Sequence, residues 1–228
     1  MKPAILPGED GFFMQRVVIF VNGRLPDLEQ VRSLIRPTDL IFAANGGTRH
    51  ALALGLVPSV VIGDLDSLGD GDRLKLEAAR TEIRRYPVDK DETDFELVLH
   101  HAVSAGYTEI LIIAALGNRL DHTLGNLALL SDPSLAGLDV RVDDGLEQAW
   151  FTRTRSRVEG HRGDIVSLIP WGGAVTGIST VGLRWPLNVE TLSSSKTRGL
   201  SNKLLGDAAS ISLESGLLLV VHSRHQQT

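Results

Sequence analysis

The chain has 228 residues, 43% hydrophobic and 22% charged, with a net charge of −5 and no cysteine. Such values fit a soluble globular protein of one large domain or two small ones. They exclude disulfides, a thiol nucleophile and a Cys-based zinc site, and there is no block of Lys and Arg suited to a nucleic acid.

The run from Phe12 to Val21 is interrupted by Gln15 and Arg16, so it reads as neither a signal peptide nor a membrane span. Residues 1–15 read as a mobile tail. Arg16–Val21 is the first strand, followed by a helical pattern over 27–36. Asp39–Ala44 is the second strand and ends in Asn45-Gly46-Gly47 before a helix over 46–54. Paired glycines ahead of a helix let backbone N–H groups approach an anion, although a plain turn has the same composition.

Ser59–Ile62 is the third strand and runs into Gly63-Asp64-Leu65-Asp66-Ser67. In extended backbone the two carboxylates lie on one side, roughly 6.5–7 Å apart. Their repulsion calls for a cation, and a hard divalent metal shared with phosphate oxygens suits them. A surface turn is the competing reading.

After a helix over 70–80 comes a fourth strand, Glu82–Tyr86, and then Asp89-Lys90-Asp91-Glu92-Thr93-Asp94 before a helix over 92–105. Thr93 and Glu96 form a capping box, and early acids favour a helix N-terminus. Capping leaves Asp89, Asp91, Asp94 and Lys90 unexplained together, a mixture suited to metal and phosphate. The fifth strand, Glu109–Ala115, opens into Gly117-Asn118-Arg119-Leu120-Asp121-His122 ahead of a helix over 120–131. Arg119 suits phosphate through bidentate contact.

Strands alternating with helices predict an α/β unit: a mainly parallel sheet with flanking helices and ligands at the carboxyl ends of its strands. Three acid-bearing loops fall on that one edge, where they could hold Mg2+ and a polyphosphate.

Beyond residue 135 the pattern changes. Asp139–Val142, Gln148–Thr152, Ile165–Ile169, Ala208–Leu213 and Leu217–His222 read as strands separated by Gly, Pro and Ser. They predict a smaller C-terminal all-β sandwich, with the boundary near Asp143–Glu147. Domains of 16–143 and 144–228 follow. Trp185, in Gly182-Leu183-Arg184-Trp185-Pro186-Leu187, reads either as a core residue or as a stacking platform for a flat or cationic ring.

No Gly-x-x-x-x-Gly-Lys-Ser/Thr, Gly-x-Gly-x-x-Gly after the first strand, or Gly-x-Ser-x-Gly is present, which counts against a P-loop enzyme, a dinucleotide fold and a serine hydrolase. An Asp-x-Asp phosphatase, with Asp143-Asp144 as its later acid pair, and a nucleotide-sugar transferase remain as alternatives.

Taken together, six motifs in order resemble the thiamine pyrophosphokinase family: Asn45-Gly46-Gly47, Gly63–Ser67, Asp89–Asp94, Gly117–His122, Gly182–Leu187 and Ser201-Asn202. The resemblance spans residues 40–220. It implies an α/β catalytic domain, a β-sandwich, and a homodimer with active sites between subunits, while the absence of cysteine fits a reducing cytoplasm. It also implies transfer of the pyrophosphoryl group of ATP to thiamine.

By the same resemblance, Asp64, Asp66, Asp91 and Asp94 would hold Mg2+, and Asp64, Asp66, Asp94, Arg119 and Asp121 would act in catalysis. Asn45, Gly46, Gly47, Ser67, Lys90, Thr93 and His122 would surround the ATP. Trp185, Ser201 and Asn202 would bind thiamine, and no nucleic acid or membrane partner is implied. Where the family usually has Asp-Gly-Gly, this chain has Asn45, a poorer Mg2+ ligand with one charge fewer. A non-catalytic thiamine- or nucleotide-binding relative is the corresponding alternative.

Overall fold

The computed structural model describes residues 15–225 apart from 67, 88 and 118. Ser67 and nearly all of the predicted tail therefore lie outside the described residues. Gln15 is held, its side-chain amide donating to the Thr38 carbonyl at 2.9 Å.

Strands β1 (Val17–Phe20), β2 (Leu40–Ala44), β3 (Val60–Gly63), β4 (Glu82–Arg85) and β5 (Glu109–Ile113) alternate with helices α1 (Leu28–Leu34), α2 (Gly47–Ala53), α3 (Asp70–Ala78), α4 (Asp94–Ser104) and α5 (Leu120–Leu130). The strands are parallel, in the order β5-β1-β2-β3-β4. β1 reads Val-Val-Ile-Phe with every residue buried, as expected for a strand covered on both faces. Phe95, Val98, Leu99 and Ala102 of α4 pack with Ile19, Phe42 and Ile62 on one face. On the other, Val31, Ala51 and Leu76 of α1, α2 and α3 meet Val18, Phe20 and Val61. Each fully buried Val, Leu, Ile or Phe among them contributes about 1.5–3 kcal/mol. β4, Glu-Ile-Arg-Arg, closes the sheet with an exposed and charged edge, which discourages pairing with another chain.

The second half forms a sandwich. β6 (Asp139–Asp143) is the last strand of the first half, and the strands of the second are β7 (Glu147–Thr152), β8 (Arg155–Glu159), β9 (Ile165–Pro170), β10 (Val175–Val181), β11 (Glu190–Leu192), β12 (Asn202–Lys203), β13 (Ala208–Ser212) and β14 (Leu218–Ser223). One layer, β11-β10-β13-β8, is separate. The other continues the first sheet: β6 pairs in parallel with β5, β7 pairs antiparallel with β6, and β14, β9 and β12 follow, giving ten strands in one sheet. Trp150, Val158, Val166, Ile178, Ile211 and Val220 fill the sandwich core.

The turn between β6 and β7 accounts for Asp143-Asp144. Asp144 Oδ1 accepts from the N–H of Leu146 and Glu147, and Gly145 adopts φ +90°. Asp143 is 1% exposed and receives both ends of the Arg224 guanidinium at 2.8 and 2.6 Å. This pair is a buried structural fastening, which removes the later acid pair of the phosphatase reading.

A second buried fastening closes the sandwich. Asp164 accepts from His222 Nε2 at 2.8 Å and from the N–H of His161 and His225 at 2.9 and 2.8 Å. Burial opposes its charge, but the His225 and His161 N–H groups and the His222 ring outweigh that and hold its carboxyl below the usual range. With a folded value below the unfolded one, its stabilisation is complete above the ordinary Asp range and is lost as pH falls through the folded value. Asp164→Ala is expected to lower stability at pH 7 by about 3 kcal/mol, because it orphans buried donors. Urea unfolding would also show a shallower loss of stability on the acid side; an unchanged midpoint at pH 7 contradicts this account.

Candidate functional site

From β1 the chain adds β2, β3 and β4 on one side, then returns to place β5 on the other side of β1. The strand order therefore reverses between β1 and β5, and helices diverge to leave a crevice at the carboxyl ends there. A cavity of about 270 Å³ opens at this point. Asn22 and Gly23 after β1 and Asn45 and Gly46 after β2 form part of its wall. Thr93 and Asp94 at the start of α4, and Gly117, Arg119 and His122 after β5, complete it.

The loop after β2 is tightly set. Asn45 has φ +39°, and its N–H donates to the Ile62 carbonyl at 2.8 Å. A Cβ on Gly46 would lie 2.6 Å from Asn22 Cγ, and one on Gly47 only 2.1 Å from the Phe20 carbonyl oxygen. Gly46 faces the cavity, whereas Gly47 is buried beneath it and seats α2 on β1.

After β3, Leu65 takes φ +65° and is 2% exposed, so it turns into the core while Asp66 faces outward. Asp64 Oδ1 accepts from Asn45 Nδ2 at 2.9 Å and from the Asp66 N–H at 3.0 Å. The two acids therefore sit on a turn closed by a side chain, not on one side of extended backbone as expected. The left-handed Leu65 is the reason. Asp64 reaches the cavity through Asn45.

At the start of α4, Thr93 Oγ1 accepts from the Glu96 N–H at 3.1 Å, the expected cap. Lys90 Nζ donates to Asp94 Oδ1 at 2.7 Å and to the Pro87 carbonyl at 3.2 Å. Lys90 thus stands beside the cavity wall through Asp94, and Asp89 and Asp91 are exposed.

After β5, Asn126 Nδ2 donates to the Ala115 carbonyl at 2.6 Å, and Thr123 Oγ1 accepts from the Gly117 N–H at 3.1 Å. Gly117, at φ +81°, lies against Arg24 Cβ. Arg119 makes a two-point contact with Asp121. The guanidinium, followed by the His122 N–H, draws the Asp121 carboxyl down to about 2. Arg119 and His122 line the cavity, while Asp121 stands outside it.

Trp185 is 53% exposed, so it is not a core residue. The Leu183–Leu204 bridge joins its segment to the chain around Ser201 and Asn202, which brings these three residues together. None of them lines the cavity of the same chain. The wall from the β1 loop was not anticipated. Asn22-Gly23 carries no charge, and its only sequence signal is its place at the end of the first strand.

Apart from the His122 imidazole, the possible ligands around the cavity are carboxylate, amide and hydroxyl oxygens, which are hard. Among the described residues no three His, Asp or Glu side chains converge. A cage built by protein alone is therefore not formed, but Mg2+ commonly takes one or two carboxylates and completes its shell with phosphate and water. Asp64 and Asp66, neighbours on one turn but not themselves in the cavity lining, are carboxylates that could enter such a shared shell.

Residues 31–142 match the thiamin pyrophosphokinase catalytic domain, and residues 155–218 match the thiamin pyrophosphokinase vitamin B1 binding domain. A thiamine pyrophosphokinase of Bacillus subtilis is 28% identical over 78% of this chain and 84% of its own length. Thiamine pyrophosphokinase 1 of Oryza sativa subsp. japonica is 30% identical over 74% of this chain and 67% of its own. Among solved structures, the thiamin pyrophosphokinase of Geobacillus thermodenitrificans superposes with a TM-score of 0.80 at 26% identity, covering 93% of this chain and 99% of that one. The Bacillus subtilis crystal structure shares the fold, with a TM-score of 0.83 at 23% identity over 92% of this chain and 100% of its own. Matched in both halves and over most of its length, the chain belongs to the thiamine pyrophosphokinase family.

Proposed function

We infer that the cavity between β1 and β5 receives the triphosphate of ATP and that the thiamine hydroxyl attacks its β-phosphorus. The new O–P bond forms as the bond to the bridging oxygen of AMP breaks. Thiamine diphosphate and AMP leave, and the hydroxyl proton is released. The observation that carries this reading is the meeting of Asn45-Gly46, Asp94 and Arg119 in one cavity at the strand switch point.

Phosphoryl-type transfer depends on in-line placement and charge neutralisation more than on covalent help from the protein. Arg119 offers a planar fork to the phosphate oxygens. Lys90, fixed by Asp94, adds positive charge beside the cavity. Mg2+, held by Asp64 and Asp66 with Asp91 and Asp94 as further candidate ligands, would supply further neutralisation of the phosphate charge. Asn45 serves Asp64 as a neutral donor, keeping that carboxylate aimed. Asp121, with its carboxyl near 2, is a feeble proton acceptor in this geometry and serves Arg119 rather than the hydroxyl.

Trp185 and Ser201 would present thiamine from a second copy of the chain. Their place outside the cavity of their own chain favours this homodimer. So do the exposed Val181, Val189, Leu200 and Leu205 of the same region, at 71%, 65%, 46% and 52%. The functional division falls at residues 143–144, between the two matched regions. A cytoplasmic location suits the absence of cysteine, and no helix among the described residues is long and apolar enough to cross a membrane.

Incubation with ATP, Mg2+ and thiamine is expected to yield AMP and thiamine diphosphate in equal amounts. AMP no higher than in a control without thiamine refutes the reading. Phosphate release without AMP would point to the phosphatase, and preference for a UDP-sugar to the transferase.

A further inference from the structure

We propose that Asn202 is a positioning residue that acts on thiamine through Trp185. This rests on the reading of Trp185 as the thiamine platform, and it departs from the direct thiamine contact that the resemblance implies for Asn202.

The side chain of Asn202 is occupied. Its Oδ1 accepts from the N–H of Trp185 at 3.1 Å and of Lys203 at 2.9 Å, and its Nδ2 donates to the Trp185 carbonyl at 2.7 Å. An amide offers two acceptor sites and two N–H groups, so backbone takes three of the four. A ligand would have to break one of these contacts to use more than the remaining N–H.

The sequence explains why Trp185 needs such a partner. Backbone pairing between the two segments runs through the Leu183–Leu204 bridge, the Leu205 N–H to the Gly182 carbonyl, and the Arg184 N–H to the Lys203 carbonyl. It cannot continue, because Pro186 has no N–H and a fixed φ. Asn202 takes over, satisfying both backbone groups of Trp185 with one side chain, as a neighbouring strand would. Ser201 prepares this by taking φ +60°, a left-handed conformation for a residue that carries a Cβ. Backbone strain of that kind persists where the surroundings enforce it.

Trp185 itself is half in solvent and is not among the buried residues of the sandwich core. Among the described residues its ring partner is the Arg184 guanidinium, 5.0 Å from the ring centroid. Arg184 thus covers one face of the indole and leaves the other to a flat ligand, while Asn202 fixes the backbone that aims it.

The test is a double-mutant cycle on the full-length enzyme, reading thiamine KM, ATP KM, kcat and quenching of tryptophan fluorescence by thiamine. Asn202→Ala is expected to raise thiamine KM about 10-fold, with kcat and ATP KM within about 2-fold of the parent. Quenching should shift to higher thiamine concentration in step. In a Trp185→Ala background Asn202→Ala should add nothing, since coupled residues fail to sum. Full additivity, or an unchanged thiamine KM in the single variant, overturns the proposal. If Trp185→Ala leaves thiamine KM unchanged, the platform reading itself falls, a distinct result. Asn202→Asp keeps the Oδ1 acceptor but sets a carboxylate against the Trp185 carbonyl. It should reproduce the KM effect at an unaltered melting temperature, which separates positioning from a failure to fold.

Discussion

Replacing Arg119 by Ala is expected to lower kcat/KM for ATP by about 10²–10³-fold, the loss typical of removing one group aimed at transition-state charge. The melting temperature should stay at the parent value, because the Arg119 and Asp121 side chains are 68% and 64% exposed and their pairing lies at the surface. Arg119→Lys should recover little, since an ammonium cannot reproduce the two-point fork that Arg119 already makes with Asp121. The acid also shapes the pH response. With its carboxyl near 2, Asp121 remains ionised at every pH at which the fold is assayed, so loss of the pair cannot underlie any change in rate between pH 5 and 9. Steady-state kinetics with ATP varied at saturating thiamine decides the matter; a variant within a factor of three of the parent would take Arg119 out of the phosphate site.

Gly47→Ala should be strongly damaging for so small a change. The added methyl carbon would stand 2.1 Å from the Phe20 carbonyl oxygen, 2.5 Å from its carbon and 2.9 Å from the Val21 nitrogen. All three are backbone atoms of a strand locked between two neighbours, so none can swing aside. Forced overpacking of this kind costs roughly 3 kcal/mol, which for a chain of this size lowers the melting temperature by about 10 °C. Activity should fall as well, because the displaced backbone carries Asn22 into the cavity wall. Gly125→Ala is the matched control: it lies inside α5 with nothing within 4 Å of a new Cβ. Alanine there should stabilise by about 0.5–1 kcal/mol. Thermal denaturation of both variants is sufficient, and equal melting temperatures would refute the steric argument.

The α/β half was legible because its strands are buried on both faces, which writes them as unbroken apolar runs such as Val17–Phe20 and Val60–Gly63. Parallel strands send their carboxyl ends to one edge, so the loops bearing Asp64, Asp94 and Arg119 could be placed together before any coordinates. The sandwich was harder. β8 reads Arg-Ser-Arg-Val-Glu, with Val158 as its one fully buried residue, and β10 is broken by a bulge next to Gly177 at φ +65°. Neither shows the alternation that marks a strand. Periodicity also left Trp185 between core and surface, since solvent exposure is a tertiary property. The left-handed Leu65 escaped for a related reason: only the pull of the core on its side chain turns the backbone there, and nothing local in Gly-Asp-Leu-Asp announces it.

The ladder between β6 and β7 makes the two halves one mechanical body. Arg141, Val142 and Asp143 pair with Trp150, Ala149 and Gln148 across the boundary at which a flexible joint would otherwise stand. Substrate capture therefore cannot proceed by swinging one half over the other, as in enzymes that shut around a linker. Whatever excludes water during transfer must come from short loops such as Asp89–Asp94 or from the reach of Arg119. Cutting the chain at the boundary would not release two folded pieces either, because each would carry a raw strand edge where its partner had been.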